Sequence, residues 1–414
     1  MKGARTAVAN GLGLGLGLVL AAATPWVVAS CAATDVDAER PVDASTLLET
    51  GAVDAGADAD EGACDVSDPS CVPLVRCEDA EFCPVPTNVT TSYALTTVWG
   101  SSKTDVWAAG SGGTIIHWDG VAWKPTPVPS ETEAPLKNTF HALRGSGPND
   151  VWVASATNLV FHCDGFKDGG ATWVRAPNTA EDSVPPGPFY AAWVTSPHDV
   201  RFVGAPTNFE PPGQYLNSNQ VVKKASDAGI EWTRLEGTAA IHGIWGSSPD
   251  DLWLIADNSI YWDWHLGQWV VDNSQFGLAL HGRRSGEDFT WTSVDSRANT
   301  VFRGIWGTSA NDVWIVGDRG TIRHFGESQT EWDIVDAPTT KTLHGVWAAA
   351  PNDAWAVGDS GTILHWDGSS WRPSMAAFPA NKRSPDLYGV WGSGPDDVWI
   401  VGDGIALHSS RGAK

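Results

Sequence analysis

Seven aspartates recur in register along the chain and are the first candidates for chemistry. Each lies in a variant of the phrase "PDDVW", which occurs in this form at 395–399. Seven carboxylates in one ring could bind a metal ion, but an aspartate in a tight turn usually caps backbone N–H groups of its own loop. We therefore predict structural turn residues, with no metal and no catalytic role, at Asp105, Asp150, Asp199, Asp251, Asp312, Asp353 and Asp397.

A second set of side chains lies three residues before the recurring tryptophan of the same phrase. Histidines in alternate copies invite a zinc or copper interpretation. Every ligand of one ion must come within about 2 Å of it, which separate copies around a wide opening do not allow. We predict instead a polar, partly aromatic rim that binds a ligand without metal or cofactor, formed by Thr96, His141, Tyr190, His242, Arg303, His344 and Tyr388. Five later histidines are predicted to serve the repeat structure: His117, His162, His324, His365 and His408.

Four cysteines lie close together before the repeats begin. They are Cys64, Cys71, Cys77 and Cys83, with no histidine between them. Zinc sites favour shorter CxxC pairs, so this spacing favours two disulfides, with three pairings open. The remaining Cys163 is predicted to be a buried free thiol.

Composition narrows the classes of partner. The formal net charge is −23 at pH 7, and the chain has 24 tryptophans beside 5 tyrosines. Nucleic acid needs a basic surface, and anionic lipid repels this charge, so we expect neither as a direct partner. Tryptophan favours strands and buries a large area, so its excess indicates many short strands packed face to face.

The phrase that carries these residues occurs seven times. Its first tryptophan position falls at 99, 144, 193, 245, 306, 347 and 391, with spacings of 41 to 61 residues. Such spacings are typical of propeller blades. Arginine replaces tryptophan at Arg144 in the first position and at Arg201 in the second.

One copy shows the expected strands. The stretch "HGVWAAAPNDAWAVGDSGTILHWDGSSW" at 344–371 alternates apolar segments with turns rich in Pro, Asp, Gly and Ser. This pattern predicts four antiparallel strands. We predict an all-β fold, a seven-bladed β-propeller of four-stranded antiparallel blades over 84–414, in which tryptophans fill the space between blades.

The ends of the repeat region predict how the ring closes. The last copy stops after its third strand at Ser410, while "VPTNVTTS" at 85–92 precedes the first copy. We predict that this segment supplies the missing fourth strand, which would remove exposed sheet edges.

The N-terminus predicts export. Lys2 and Arg5 precede an apolar run and small residues, which is the pattern of a signal peptide over 1–30. Its ending "VASC" resembles the lipobox of bacterial lipoproteins. The resemblance implies a lipid on Cys31 and, with Ala32 following, sorting to the outer membrane of a Gram-negative bacterium. Plain secretion after cleavage at Ser30 is the alternative.

Two segments separate the signal from the repeats. Residues 31–63 are rich in acids, Ala and Gly and cannot bury enough apolar surface to fold, which predicts a disordered tether. Residues 64–83 form the predicted disulfide-rich segment.

The repeat also resembles a known superfamily. The stretch "AWAVGDSGTILHWDGSSW" at 354–371 resembles the repeat of photosystem II assembly-factor-like propellers and of the wider Asp-box (BNR-like) propellers, which implies the fold. It departs from the Asp box S-x-D-x-G-x-x-W, because Trp366 follows Asp359 by seven residues. Photosystem function is therefore not implied. Trp-rich repeat lipoproteins of Gram-negative bacteria are similar as well.

Two long segments interrupt the regular spacing. They are 206–219, after the second strand of blade three, and 270–299, between blades four and five. Both connections would emerge on one face, and long loops on a rigid scaffold commonly bind ligands, although loop variation without function is the alternative. The predicted contact residues are Tyr215, Asn217, Arg283, Arg284 and Trp291.

The leading hypothesis is an outer-membrane-anchored, monomeric, non-catalytic binding or scaffold module for a protein or glycan of the envelope or the exterior. The alternatives are a propeller glycoside hydrolase or polysaccharide lyase, which needs acidic pairs or an arginine cluster not apparent here, and a multivalent lectin with near-equivalent sites.

Overall fold

A computed structural model describes residues 75–129, 137–157, 159–176, 188–204, 219–226, 229–235, 239–263, 265, 268–271, 276–286, 288–379 and 384–409. It confirms the seven-bladed β-propeller, with seven antiparallel sheets. Strands are numbered 1 to 4 outward from the central channel. Within the described ranges, no helix is long and apolar enough to cross a membrane.

The strands of blades one to seven have regular bounds. Strand 1 spans Leu95–Ser102, Phe140–Gly147, Phe189–Ser196, Ala239–Ser248, Phe302–Ser309, Leu343–Ala350 and Leu387–Gly394. Strand 2 spans Asp105–Gly110, Asp150–Ser155, Asp199–Gly204, Asp251–Asp263, Asp312–Gly317, Asp353–Gly358 and Asp397–Gly402. Strand 3 spans Ile115–Trp118, Val160–Lys167, Asn219–Ser226, Leu278–Ser285, Ile322–Phe325, Thr362–Trp366 and Ile405–Ser409. Strand 4 spans Trp123–Pro125, Gly170–Arg175, Gly229–Leu235, Asp288–Val294, Asp333–Val335, Trp371–Pro373 and, for blade seven, Phe82–Pro84. Short 3-10 turns follow strand 2 at Ser111–Gly113, Asp318–Gly320 and Asp359–Gly361.

The seven blades close into a ring through their first strands. Each strand 1 contacts strand 1 of the next blade, and blade seven contacts blade one. Strand 2 is covered by neighbouring blades on both faces, so "DVWIVG" of blade seven is almost wholly buried. A strand covered on both faces has a continuous apolar run, which explains why the tryptophans and valines of the phrase are consecutive.

Ring closure takes place as predicted, but the predicted closing strand is wrong. Strand 4 of blade seven is Phe82–Pro84 rather than 85–92, and it pairs antiparallel with Ile405–Ser409. Phe82 is fully buried and meets Trp355 edge-on, with ring centres 4.9 Å apart. The propeller therefore begins inside the segment assigned to the cysteines, and a buried aromatic explains why this short stretch closes the ring.

The cysteines next to this strand form a bonded pair. Cys77 and Cys83 are joined by a disulfide, with Cα atoms 5.4 Å apart. Cys64 and Cys71 lie outside the described residues. Cys163 is a buried free thiol, as predicted, and burial raises its pKa to about 11.

Blade four corrects the predicted position of the second insertion. Its third and fourth strands are Leu278–Ser285 and Asp288–Val294, so most of 270–299 belongs to the blade itself. The insertion comes earlier, where strand 2 continues and Ile260–Asp263 pairs with Gln268–Val271 in an extra hairpin.

Aromatic side chains form the walls between blades. The strand 2 tryptophan of one blade meets strand 4 of the next: Trp107 lies 5.6 Å from Trp173, and Trp399 lies 5.0 Å from Trp123, both edge-on. Such pairs contribute about 0.5–1.5 kcal/mol each beyond the burial of their area. One blade cannot bury these faces alone, so the phrase must repeat until the ring closes.

Candidate functional site

The repeated aspartates join three strands of their own blade. In blade five, Asp312 begins strand 2, and its Oδ1 lies 2.8 Å from Nε2 of His324 on strand 3. Thr308 on strand 1 donates its hydroxyl to the other oxygen. The His324 ring packs on Trp314, with ring centres 4.2 Å apart. The carboxylate therefore ties strands 1, 2 and 3 together.

The histidine–aspartate pair of this network occurs in six of the seven blades. The Nε2–Oδ distances from the strand 3 histidine to the aspartate are 2.6 Å for His117–Asp105, 2.9 Å for His162–Asp150, 3.2 Å for His281–Asp251, 2.8 Å for His324–Asp312, 2.6 Å for His365–Asp353 and 2.6 Å for His408–Asp397. The aspartates are the first residues of strand 2, and their bonds go mainly to side chains of strands 1 and 3. Their expected place in the turn, capping backbone N–H groups, is thus corrected by the geometry.

Burial alone would raise the pKa of five of these carboxyls, those of Asp105, Asp150, Asp251, Asp312 and Asp397. Hydrogen bonds from the histidine and the strand 1 hydroxyl outweigh burial and hold the pKa below its usual value at Asp105, Asp150, Asp312 and Asp397. At Asp251 the His281 bond and charge act in the same way.

Blade three departs from this pattern. Arg201 stands in place of the strand 2 tryptophan and lies 3.3 Å from Asp199 Oδ1. Val222 stands opposite it on strand 3, where other blades have histidine. The guanidinium of Arg201 instead packs on Phe289 of blade four, 4.7 Å from the ring centre.

The predicted rim residues form the mouth of the channel on the face that carries the strand 2–3 connections. In blades four to seven each is paired with an aspartate, which lies within strand 2 in blade four and directly after strand 2 in blades five to seven. His242 Nε2 lies 3.0 Å from Asp257, Arg303 Nε 2.9 Å from Asp318, His344 Nε2 2.6 Å from Asp359, and the Tyr388 hydroxyl donates to Asp403 at 3.2 Å. This half of the rim is acidic.

The other half of the rim is aromatic and neutral. His141 meets Tyr190 edge-on at 6.2 Å, and Tyr190 stacks on His242 at 5.5 Å. Thr96 donates its hydroxyl to the carbonyl of Phe140. Burial lowers the pKa of His141, which favours its neutral form. The positions that hold acids in blades four to seven are Ser111, Ala156 and Ala205 in blades one to three.

A cavity adjoins the acidic half. It has a volume of about 360 Å³ and is lined by Thr91, Phe378, Asp386, Asp403 and Ile405, among others. Burial and the charge of Asp403 raise the pKa of Tyr388 to about 12, so the phenol next to this cavity keeps its proton at neutral pH.

Among the residues predicted to lie on insertions, those that the structure describes are not brought to the rim. Tyr215 and Asn217 lie outside the described residues. Arg283 pairs in register with Asp251, and Arg284 forms an ion pair with Asp250, so both lie at the strand 1–2 turns, on the opposite face. Trp291 lies in strand 4 of the same blade. Their assignment to a loop between blades four and five was wrong.

The first strands also line the channel with large side chains. The large side chain is a tryptophan in six blades and Arg144 in blade two. Each tryptophan ring lies against a small residue on strand 1 of the next blade. A Cβ atom on Gly392 would lie 2.6 Å from the Trp347 ring, so this position requires glycine. Within the described residues, no three His, Cys, Asp or Glu side chains come together as metal ligands.

No family model matches the sequence, and no curated protein matches it. Solved propellers are similar. YCF48 bound to D1 peptide is 16% identical with a TM-score of 0.57, covering 82% of this chain and 99% of that one. YCF48 from Cyanidioschyzon merolae is 18% identical with a TM-score of 0.58, covering 80% and 99%. A streptogramin B lyase is 15% identical with a TM-score of 0.53, covering 79% and 97%. The resemblance to photosystem II assembly-factor-like propellers is confirmed for the fold. The same fold occurs in the peptide-bound YCF48 and in the lyase.

Proposed function

We propose that the chain is an exported, lipid-anchored binding propeller that recognises a protein partner at the channel mouth. The observation that carries the proposal is the two-sided rim. His141 and Tyr190 form one side, with Tyr190 stacked on His242 at the border, and the carboxylates of Asp318, Asp359 and Asp403 form the other.

The rim supports binding rather than catalysis. Its described carboxylates are each already paired with a base or a phenol of the same blade, and such pairs hold a surface in one conformation. A rigid surface with aromatic anchors binds with little loss of side-chain entropy. The acidic half, on a chain of net charge −23, favours a partner segment that carries Lys or Arg.

The anchor is part of the same proposal. Cys31 would carry the lipid, and the acidic residues 32–63 would hold the propeller away from an outer-membrane surface, where a monomer could meet its partner. The peptide bound to YCF48 supports a protein ligand for this chain. A glycan ligand would change the partner in the proposal, and plain secretion would remove the lipid anchor.

Site-specific photo-cross-linking in the cell that makes the protein tests the rim. A photoreactive residue replaces His141 or Tyr388 in the full chain. Matched controls replace Val121, which is 84% exposed on a strand 3–4 turn, or Ile334, which is 55% exposed on an outer strand. We expect a discrete adduct from the two rim positions and none from the controls, and mass spectrometry of the adduct separates a protein from a glycan.

An adduct from Val121 or Ile334 in the absence of one from the rim would move the binding site elsewhere. No adduct from any position would contradict the binding role.

Lipidation has its own test. Metabolic labelling with an alkyne fatty acid should mark the wild-type protein and not Cys31→Ala. Equal labelling of both, or of neither, would overturn the anchor while leaving the rim proposal in place.

A further inference from the structure

Arg144 occupies a position where every other blade has tryptophan. The six counterparts on strand 1 are Trp99, Trp193, Trp245, Trp306, Trp347 and Trp391. An arginine inserted in such a ring places a fixed positive charge among indoles, because guanidinium groups remain protonated in proteins.

The side chain of Arg144 reaches across the channel. Its Cζ lies 5.3 Å from the ring centre of Trp193 in the next blade and 4.6 Å from that of Trp306 in blade five. Blades two and five are not neighbours in the ring, so this second contact can only be made through the channel. The guanidinium therefore lies near the propeller axis, between two indole faces.

The guanidinium has no acceptor for its N–H groups among the described residues. Three described arginines are not exposed, and the other two lie close to oxygen atoms. Arg201 has Asp199 at 3.3 Å, and Arg323 donates to three backbone carbonyls at 2.8 Å each. The indole faces attract the charge of Arg144 but leave its five in-plane donors unused, which is unfavourable for a partly buried cation. Burial lowers the pKa of Arg144 to about 10, which still leaves the group charged at neutral pH.

Solvent reaches the ring of large side chains at this place. Trp99, Trp245, Trp347 and Trp391 are buried, with at most 7% of their surface exposed. Arg144 and the two tryptophans that it contacts, Trp193 and Trp306, are each only partly buried. The opening in the ring is thus lined by one guanidinium and two indoles.

We propose that this opening binds one carboxylate group, held in the plane of the Arg144 guanidinium and flanked by Trp193 and Trp306. A guanidinium presents two parallel N–H groups that match the two oxygens of a carboxylate. The flanking indoles limit the site to a slender group and exclude water around the ion pair, which strengthens it. Arg144 lies three residues from His141, or about 10 Å along the strand, so the site is separate from the rim and does not depend on its partner.

The test uses the full chain and acetate as the probe. Sodium acetate is titrated against sodium chloride at equal ionic strength, and binding is followed by the unfolding temperature and by saturation-transfer NMR of the acetate methyl group. Arg144→Trp restores the residue of the other blades and so should fold, while Arg144→Gln keeps a side chain of similar length. Arg372→Gln, at an exposed arginine paired with Asp367, is the control.

We expect a saturable response in the wild type and in Arg372→Gln, and at least a tenfold weaker one in both Arg144 variants. Triglycine with a free carboxylate, compared with its amide, tells whether a chain terminus also fits. An Arg144-dependent response to either carboxylate supports the site and identifies its source. Equal responses in wild type and Arg144→Trp, or no response to either probe, would overturn it.

Discussion

Blade seven and blade three come from the same repeated phrase but hold their strands together differently. In blade seven, Asp397 bonds His408 at 2.6 Å, and Trp399 stacks on that histidine at 4.2 Å. In blade three the corresponding residues are Asp199, Val222 and Arg201, and an ion pair with a cation–π contact to Phe289 replaces the histidine bond, while Thr195 on strand 1 still donates to Asp199.

The difference shows which blades keep the repeated sequence and which blades depart from it. The network of blade seven joins Asp397, Ser393 and His408 within one blade, so each such blade can be copied unchanged. Blade three depends on its neighbour, and irregular features gather around it. Arg144 lies in the blade before, and the extra hairpin lies in the blade after.

The largest effect is expected from removing the aromatic wall of the regular blade. Trp399→Ala should lower the free energy of unfolding by about 3–5 kcal/mol, because it leaves a cavity against Trp123 and His408. Phe289→Ala, its counterpart beside Arg201, should lose only about 1–2 kcal/mol, the range of a partly buried cation–π contact. Urea denaturation measures both, and equal losses would remove the contrast between the two walls.

A smaller effect is expected at the shared carboxylate. Asp397→Ala should cost about 1–3 kcal/mol, since the His408 and Ser393 donors lose their acceptor. Asp396→Ala changes the neighbouring, exposed residue of the same turn and should lie within about 0.5 kcal/mol of wild type. Similar losses in both variants would show that the turn, rather than the network, is responsible.

The same carboxylates predict how stability depends on pH. The pKa values of Asp105, Asp150, Asp251, Asp312 and Asp397 are lower in the folded chain than the ordinary 3.8. Their stabilisation is therefore complete above that value and is lost as the pH falls through the lower folded values. Denaturation at a series of pH values should show this loss, and Asp312→Asn should show less of it than wild type.

The smallest effect is expected from the irregular hairpin. Replacing 260–271 by a short turn should change the unfolding free energy by less than about 1 kcal/mol, because the core strands of blade four end before it and resume at Leu278. Thermal unfolding checks this, and a loss comparable to that of Trp399→Ala would place the hairpin in the core.

Repetition made the fold predictable, because each phrase shows the turns and buried strands of a blade. The prediction of strand positions failed in blade four, where another segment resembles the third and fourth strands. In blade four, "SIYWDW" and Trp269 resemble strands 3 and 4, whereas the true strand 3 contains His281. A histidine could have identified the true strand 3. In four other blades the strand 3 histidine follows the first aspartate of strand 2 by twelve residues, and the segment that resembles strand 3 in blade four has no histidine.

The candidate sites were less predictable for a physical reason. The rim residues share a position in the phrase, so a common location follows from the repeat. That Arg144 crosses the channel depends on the distance between non-neighbouring blades, which no local pattern contains. Phe82 likewise closes the ring because it fits against Trp355, and strand propensity over three residues does not show this.

Closure of the ring by Phe82–Pro84 also sets an order of events. This strand is synthesised before the rest of the seven blades, yet its partner, Ile405–Ser409, is synthesised after all the other described strands. Until then Phe82–Pro84 has no strand to pair with, and pairing segments so distant in sequence is slow. A chain cut short before Ile405 keeps an open sheet edge that attracts other chains and proteases. Only a chain that contains both Phe82–Pro84 and Ile405–Ser409 can close the ring, so protection from proteolysis depends on two strands at opposite ends of the repeat region.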